Sequence, residues 1–487
     1  MKTTLVFLLL LASCAKPPSR PTFANKLDAF LNETMAAHRI PGLAVAVTRG
    51  REIVYLRALG VANLETGEPL LPENLFHMAS VSKPFVATAI VQLVEEGKID
   101  LDAPVTRYLP YFQLADERYR EITIRQMLSH TSGMPDVEDY EWDKAQYDEG
   151  AAERLVRGLS AETMIGAPGE KWRYSNMAFD TLGDVIAKVS GQSFEEYEKT
   201  HILDPLGMKE STFLFPDTRP ELRTTGHVWD LEPKVSAVYP YNRRHAPSST
   251  LNSNVVEMAR WAWANLNRGE LEGERVLEEK SYDLLWKPSA QVDENMEIGL
   301  SWFLEERHGT KVIGHSGGDT GYSSNFALLP DEDLAVILAS NYDRTPMTGI
   351  RNGVIDLVLG HEATVPPPSV AYAFARTLVD QGTEAAKARY RELQSSASHE
   401  HTFGERELNR LGYYFLSKGD TGRAIEVLGF NTELFPDASN THDSLGEAYA
   451  EAGDRERAIA SYRRALELDP ASPSAKKALE KLAAPAQ

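Results

Sequence analysis

Ser80-Val81-Ser82-Lys83-Pro84-Phe85-Val86-Ala87-Thr88-Ala89-Ile90-Val91 is the stretch on which the fold of this chain turns. The apolar run from Phe85 predicts a helix from about Pro84 to Glu96, ended by Gly97. Residues three apart share a helix face, so Ser80 at the helix start meets the Lys83 amine one turn on. The helix N-terminus favours negative charge developing there. Lys83 lies beside an apolar run, and burial lowers a lysine pKa toward the range in which it acts as a base. A Ser-x-x-Lys match alone is weak, because chance matches are common. Its position at the mouth of an apolar helix is what gives it weight.

On the N-terminal side of this helix, Phe23 to Ala37 reads as a helix with Leu27, Phe30 and Leu31 near one face. Leu43–Val47 and Ile53–Tyr55, joined by Arg49-Gly50-Arg51, read as a hairpin of two largely buried strands. From Asp100 to about Ser289 the chain is mostly helix and loop, with many Pro and Gly breaks. Strands are predicted again over Ile298–Leu304, Lys311–Gly314, Ser324–Leu329 and Leu334–Ala339, closed by a helix from Met347 to Leu359. Strands at both ends with helices between them imply one sheet assembled from distant segments. The helical middle is then a second lobe, and the cleft between lobes is the natural place for a site.

Two further segments carry candidate chemistry. Tyr174-Ser175-Asn176 follows the turn Ala167-Pro168-Gly169-Glu170, with Trp172 as a packing residue. A tyrosine hydroxyl can relay a proton if cations favour its phenolate, and an amide can hold a lysine or a carbonyl. His315-Ser316-Gly317-Gly318 follows the strand at Lys311–Gly314, and its glycines let a backbone N–H approach a bound carbonyl closely. Judged singly, the first is an ordinary loop and the second a glycine-rich strand turn.

Together the three segments resemble the serine beta-lactamase and penicillin-binding-protein superfamily, in particular its class C-like branch with D-aminopeptidase and family VIII-type esterase relatives. Leu128-Ser129-His130-Thr131-Ser132-Gly133-Met134, Pro168-Gly169 leading to Trp172, and Asp204-Pro205-Leu206-Gly207-Met208 also resemble segments of that branch. The resemblance covers about residues 24 to 360. It implies an α/β (α+β) beta-lactamase/transpeptidase-like domain, an antiparallel sheet with flanking helices plus a helical lobe. It implies Ser80 as nucleophile of an acyl-enzyme, with Lys83 and Tyr174 moving its proton. Asn176 would orient the lysine and the acyl side chain, and the Ser80 and Gly318 N–H groups would form an oxyanion hole beside His315 and Gly317. His130 is expected to be structural in preference to catalytic. His315 departs from the Lys-Thr-Gly of class C lactamases, whose lysine places a fixed charge beside a substrate carboxylate. A histidine is mostly neutral at pH 7 unless its pKa is raised. The substrates implied are small esters, amides or D-residue peptides. A D-alanyl-D-alanine carboxypeptidase or weak beta-lactamase is the alternative. No cofactor is implied, and the scattered histidines lack the His-Glu-x-x-His pattern of a zinc site.

The ends of the chain add context. Met1–Ser13 has the shape of a secretory signal, and Leu11-Ala12-Ser13-Cys14 resembles a lipobox, so Cys14 is expected to be lipidated. Residues 14–22 form a tether, and the periplasmic face of a bacterial outer membrane is the expected location. Cys14 is the only cysteine, so no internal disulfide can form. The hydrolase-like domain is placed at 23–360, a Pro-rich linker with Pro366-Pro367-Pro368 at 361–369, and helical repeats at 370–487. There Gly412 and Gly446, Gly419 and Gly453, Asp420 and Asp454, Ala424 and Ala458, and Pro436 and Pro470 each lie 34 residues apart. That period and residue pattern match the tetratricopeptide repeat, with a degenerate unit over Ala371–His401 and a groove expected for a protein partner. A third functional reading follows, a repeat-based interaction lipoprotein with a secondary or inactive hydrolase domain. The net charge of −20 argues against nucleic acid as a partner.

Overall fold

Residues 23–483 are described by the structure, a computed structural model. The expected signal sequence, the tether and Cys14 lie outside the described residues. Two compact units emerge. One comprises the described residues through Val365 apart from Asp230–Glu232, and the other runs from Pro366 onward with those three residues.

The first unit is organised by a nine-stranded sheet. Its frame in chain order is α1 (Phe23–His38), β1 (Gly42–Arg49), β2 (Glu52–Asn63), β3 (Glu68–Pro69), α2 (Lys83–Glu95), α3 (Asn176–Ser190), α4 (Val255–Leu266), β4 (Ala290–Asp293), β5 (Met296–Ile298), β6 (Phe303–Arg307), β7 (Thr310–Asp319), β8 (Tyr322–Leu329), β9 (Leu334–Ser340) and α5 (Met347–Val358). The spatial order is β4-β5-β6-β7-β8-β9-β1-β2-β3, antiparallel throughout. The first strand of the chain therefore pairs with the last, Leu43 opposite Ser340 and Arg49 opposite Leu334.

The run Leu43-Ala44-Val45-Ala46-Val47 explains why β1 is central. Successive side chains point to opposite faces, and both faces are covered. Leu43, Val45 and Val47 pack with Leu27, Phe30 and Leu31 of α1 and Ile350 and Val354 of α5. Ala44 and Ala46 join the other core, with Trp261 and Ala262 of α4 and the buried faces of α2 and α3. Each large side chain fully removed from water contributes roughly 1.5–3 kcal/mol. The expected second buried strand is instead long and half-exposed, with only Tyr55 and Ala62 buried. β2 lies near the sheet edge, and its alternation reflects a solvated face.

Two other expectations change. Ile298–Leu304 is not one strand. β5 and β6 are joined by a tight turn in which Ser301 has φ 74° and Leu300 and Trp302 point inward, so buried apolar turn residues imitate a strand. The strand expected to stop at Gly314 continues to Asp319, which places His315, Ser316, Gly317 and Gly318 within β7, paired with β8.

The second unit is all helical. Its helices are α6 (Val370–Gln381), α7 (Thr383–Ser396), α8 (Glu405–Ser417), α9 (Thr421–Leu434), α10 (Ser439–Glu451), α11 (Arg455–Leu468) and α12 (Pro473–Ala483). The repeated Gly-Asp pair has a local cause. Gly419 and Gly453 take φ 73° and 76°, a left-handed turn that glycine adopts without penalty. Asp420 and Asp454 then cap the next helix by accepting from the Arg423 and Arg457 N–H groups.

Candidate active site

The segment before α2 is a 3-10 turn, Ala79–Ser82, that runs directly into the helix. Ser80 therefore sits just before the α-helix and not within it. Ala79 has φ 48°, an uncommon conformation for a residue with a side chain, so the backbone ahead of Ser80 is held in a sharp, locally unfavourable bend. Ser82 is buried and structural, accepting the Leu251 N–H at 3.0 Å.

Lys83 is completely buried at the foot of this turn. Its Nζ lies 2.9 Å from Ser80 Oγ, 2.6 Å from Asn176 Oδ1 and 2.7 Å from the Ser248 carbonyl. Burial pulls its pKa down to about 7, against the opposing pull of Asp180, Asp319 and Asp136. Asn176 opens α3, and its amide orientation is fixed by a carboxylate. Asp136 Oδ1 accepts from the Asn176 backbone N–H at 2.7 Å and from Nδ2 at 2.9 Å, which turns Oδ1 toward the lysine. The serine between Tyr174 and Asn176 caps the helix, its Oγ accepting from the Ala178 N–H and donating to the Pro135 carbonyl.

Tyr174 lines the cleft with Ser80, and its ring centroid lies 5.1 Å from the Lys83 amine. Burial, and after it Asp136, Asp319 and Asp180, push its pKa well above the ordinary value, so it is a phenol. His130 stacks beneath it with ring centroids 4.1 Å apart, and its Nδ1 accepts the Ser175 N–H. Burial and then Lys83 hold His130 neutral, in keeping with a packing role. His315 Nδ1 contacts its neighbouring Ser316 carbonyl at 2.6 Å, and burial followed by Lys83 lowers its pKa to about 3. It brings no positive charge to the site at neutral pH.

Ser80, Tyr174, Asn176, His315, Gly317 and Gly318 line one cleft of about 470 Å³, with Lys83 beneath it. Gly317 permits β7 to press on the nucleophile turn. A Cβ there would lie 2.3 Å from the Met78 carbonyl oxygen and 2.4 Å from Ser324 Oγ, which donates to that same carbonyl at 2.6 Å. Gly318 meets nothing and opens to the cleft.

Asp136, Asp319, Tyr140 and Ser248 were not singled out by the sequence, yet each touches this constellation. Asp319 directly follows the glycine pair, and Asp136 closely follows Ser132-Gly133-Met134, so adjacency to motifs was their one available signal. Ser248 acts through its backbone, which no residue type marks. Among the described residues no group of three or more His, Cys, Asp or Glu is placed to hold a metal ion.

An antiparallel sheet closed by its terminal segments, with a Ser-Lys-Tyr cleft beside a helical lobe, defines the class of beta-lactamase and penicillin-binding-protein folds. A family model described as beta-lactamase matches residues 27–359, and the chain belongs to that family. A tetratricopeptide-repeat model matches residues 439–472. The chain is 36% identical over 205 residues to esterase EstB of Burkholderia gladioli, covering 40% of this chain and 52% of that protein. It is 29% identical over 323 residues to penicillin-binding protein 4* of Bacillus subtilis strain 168, covering 62% and 68% respectively. It thus spans about half to two thirds of the length of these curated relatives. The octameric penicillin-binding protein homologue from Pyrococcus abyssi superposes with a TM-score of 0.62 at 26% identity, covering 69% of this chain and 77% of that one.

Proposed function

We propose that the protein is a serine hydrolase that cleaves small esters or amides, including peptides of D-residues, through an acyl-enzyme on Ser80. The observation that carries this reading is the 2.9 Å contact between Ser80 Oγ and a fully buried Lys83 amine. A neutral lysine takes the Ser80 proton as Oγ attacks the carbonyl. The Oγ–C bond forms, and the proton passes through Lys83 and Tyr174 to the departing oxygen or nitrogen as its bond to carbon breaks. Water, activated by the same pair, then releases the acid. The Ser80 and Gly318 N–H groups are assigned to the oxyanion.

The penicillin-binding-protein relatives favour a second reading, a D-alanyl-D-alanine carboxypeptidase or weak beta-lactamase. The neutral His315 weighs against it, since such substrates carry a carboxylate beside the scissile bond. Membrane attachment through Cys14 and partner binding by residues 370–487 complete the proposal. They are supported by the lipobox-like sequence and the repeat match. Among the described residues no helix is long and apolar enough to cross a membrane.

Hydrolysis of a panel tests the reading. It contains p-nitrophenyl esters, D-alanine p-nitroanilide, nitrocefin and a muropeptide stem. The expected result is turnover of an ester or anilide above nitrocefin, abolished by Ser80→Ala. Turnover that survives Ser80→Ala would reject it.

A further inference from the structure

We propose that Asp319 selects substrates bearing a protonated amine next to the carbonyl that Ser80 attacks, an inference that rests on the acyl-enzyme reading above. Asp319 is the one charged side chain among the residues lining the cleft, where no Lys or Arg is found. It stands at the end of β7, one residue beyond Gly318. Its Oδ2 is held by His77 Nε2 at 2.8 Å and by the Ser249 hydroxyl. Among the described residues no donor reaches its Oδ1. The side chain retains 10% exposure, so the carboxylate is largely desolvated but not sealed. A partly buried carboxylate with an unused oxygen gains most from a cationic donor, because charge-assisted hydrogen bonds are the strong ones.

The surrounding charges sharpen this preference. Asp180 is fully buried outside the cleft lining, its Oδ2 lying 2.6 Å from His245 Nδ1, while Arg244 Nε donates to His245 Nε2. Asp136 is occupied with Asn176. Lys83 is the nearby cation when protonated, but its amine faces Ser80, Asn176 and Ser248, and it must be neutral to act as a base. The cleft lining therefore carries a carboxylate and no lysine or arginine. Such a cleft repels a carboxylate beside the scissile bond and attracts an ammonium.

Asp319 could instead only pin β7 to His77 and Ser249. That role would move all substrates together, whereas amine recognition moves a ratio. The measurement is kcat/KM of the full chain for D-alanine p-nitroanilide against its N-acetyl form. We expect the free amine to be preferred by about tenfold or more, and Asp319→Asn to lower that ratio about tenfold whatever the absolute rates. A wild-type ratio at or below one, or a ratio unmoved by Asp319→Asn, would overturn the inference. Protection of the wild-type protein from a fluorophosphonate by D-alaninamide and by N-acetyl-D-alaninamide needs neither turnover nor a variant. The amine should protect at about tenfold lower concentration. Equal protection removes the amine preference alone, while an absence of Ser80 labelling removes the acyl-enzyme reading beneath it.

Discussion

Two carbonyl oxygens and one hydroxyl surround the Lys83 amine. A neutral amine has two N–H donors and one lone pair. Asn176 Oδ1 and the Ser248 carbonyl can take the two donors, which leaves the lone pair for the Ser80 proton. The constellation thus fits the lysine that burial brings to a pKa of about 7. Because the deprotonated form is the active one, kcat/KM on a neutral ester should rise with pH to a plateau, with its midpoint near pH 7. Below that it should fall about tenfold per unit. A midpoint unchanged from an ordinary lysine would show that Lys83 is not the base. His315, lowered to about 3, adds no second ionisation between pH 5 and 8. The Asn176 amide depends on Asp136 in turn. Asp136→Ala removes the acceptor of the Asn176 backbone and side-chain N–H groups and of the Val137 N–H. It should lower kcat by about tenfold or more, with a stability loss of about 1–3 kcal/mol seen in chemical denaturation. Ser80, Lys83, Tyr174 and Asn176 were legible in the sequence because their chemistry lies in side chains at fixed spacing. Asp136 and Asp319 were not, since a single acid beside a loop has many uses and only the folded neighbours tell which.

The nucleophile turn and β7 act together as elements. The turn bends at Ala79, and its Met78 carbonyl is gripped by Ser324 Oγ while the bare backbone of Gly317 lies against it. Gly317→Ala would drive a methyl into that carbonyl and break the Ser324 bond. It should cost about 1–3 kcal/mol of stability and about a hundredfold or more in kcat/KM. Gly318→Ala meets open space, so it should leave the melting temperature within a few degrees of wild type. Thermal unfolding of the two variants separates them, and equal losses would show that close packing at Gly317 is not what sets the turn. The sequence marked these glycines but ended the strand too early. Glycine has low strand propensity, and the pairing of His315 to Asp319 with β8 overrides it. The helices were easier, as α1, α2 and α5 each carry an apolar face that α-helical spacing makes visible. The β5–β6 turn was hidden because Leu300 and Trp302 are buried by tertiary packing that local pattern does not reveal.

The sheet that carries the site is closed by α5, which ends at Val358, and the family match ends at residue 359. The repeats bury their own faces, as Ala458, Tyr462, Ala465 and Ala475 do against one another. A chain ending at Leu359 should therefore keep kcat/KM on a small ester within about threefold of the full protein, less than 1 kcal/mol of transition-state stabilisation. A hundredfold loss with an unchanged circular dichroism spectrum would make the repeats part of the active enzyme. The 34-residue period was visible because the Gly-Asp turn that sets it is local. The pairing of β1 with β9 was legible only as an expectation of one sheet, since its register is fixed across about 290 residues by packing on both faces. Ser80 should become acylated with Lys83 as its base. The decisive measurement is intact-mass analysis of the full chain treated with a fluorophosphonate, followed by peptide mapping. The expected result is a single adduct on the peptide carrying Ser80, formed at a rate that rises through pH 7 and absent in Ser80→Ala. An adduct on another residue, or one that persists in Ser80→Ala, would rule out Ser80 as the nucleophile.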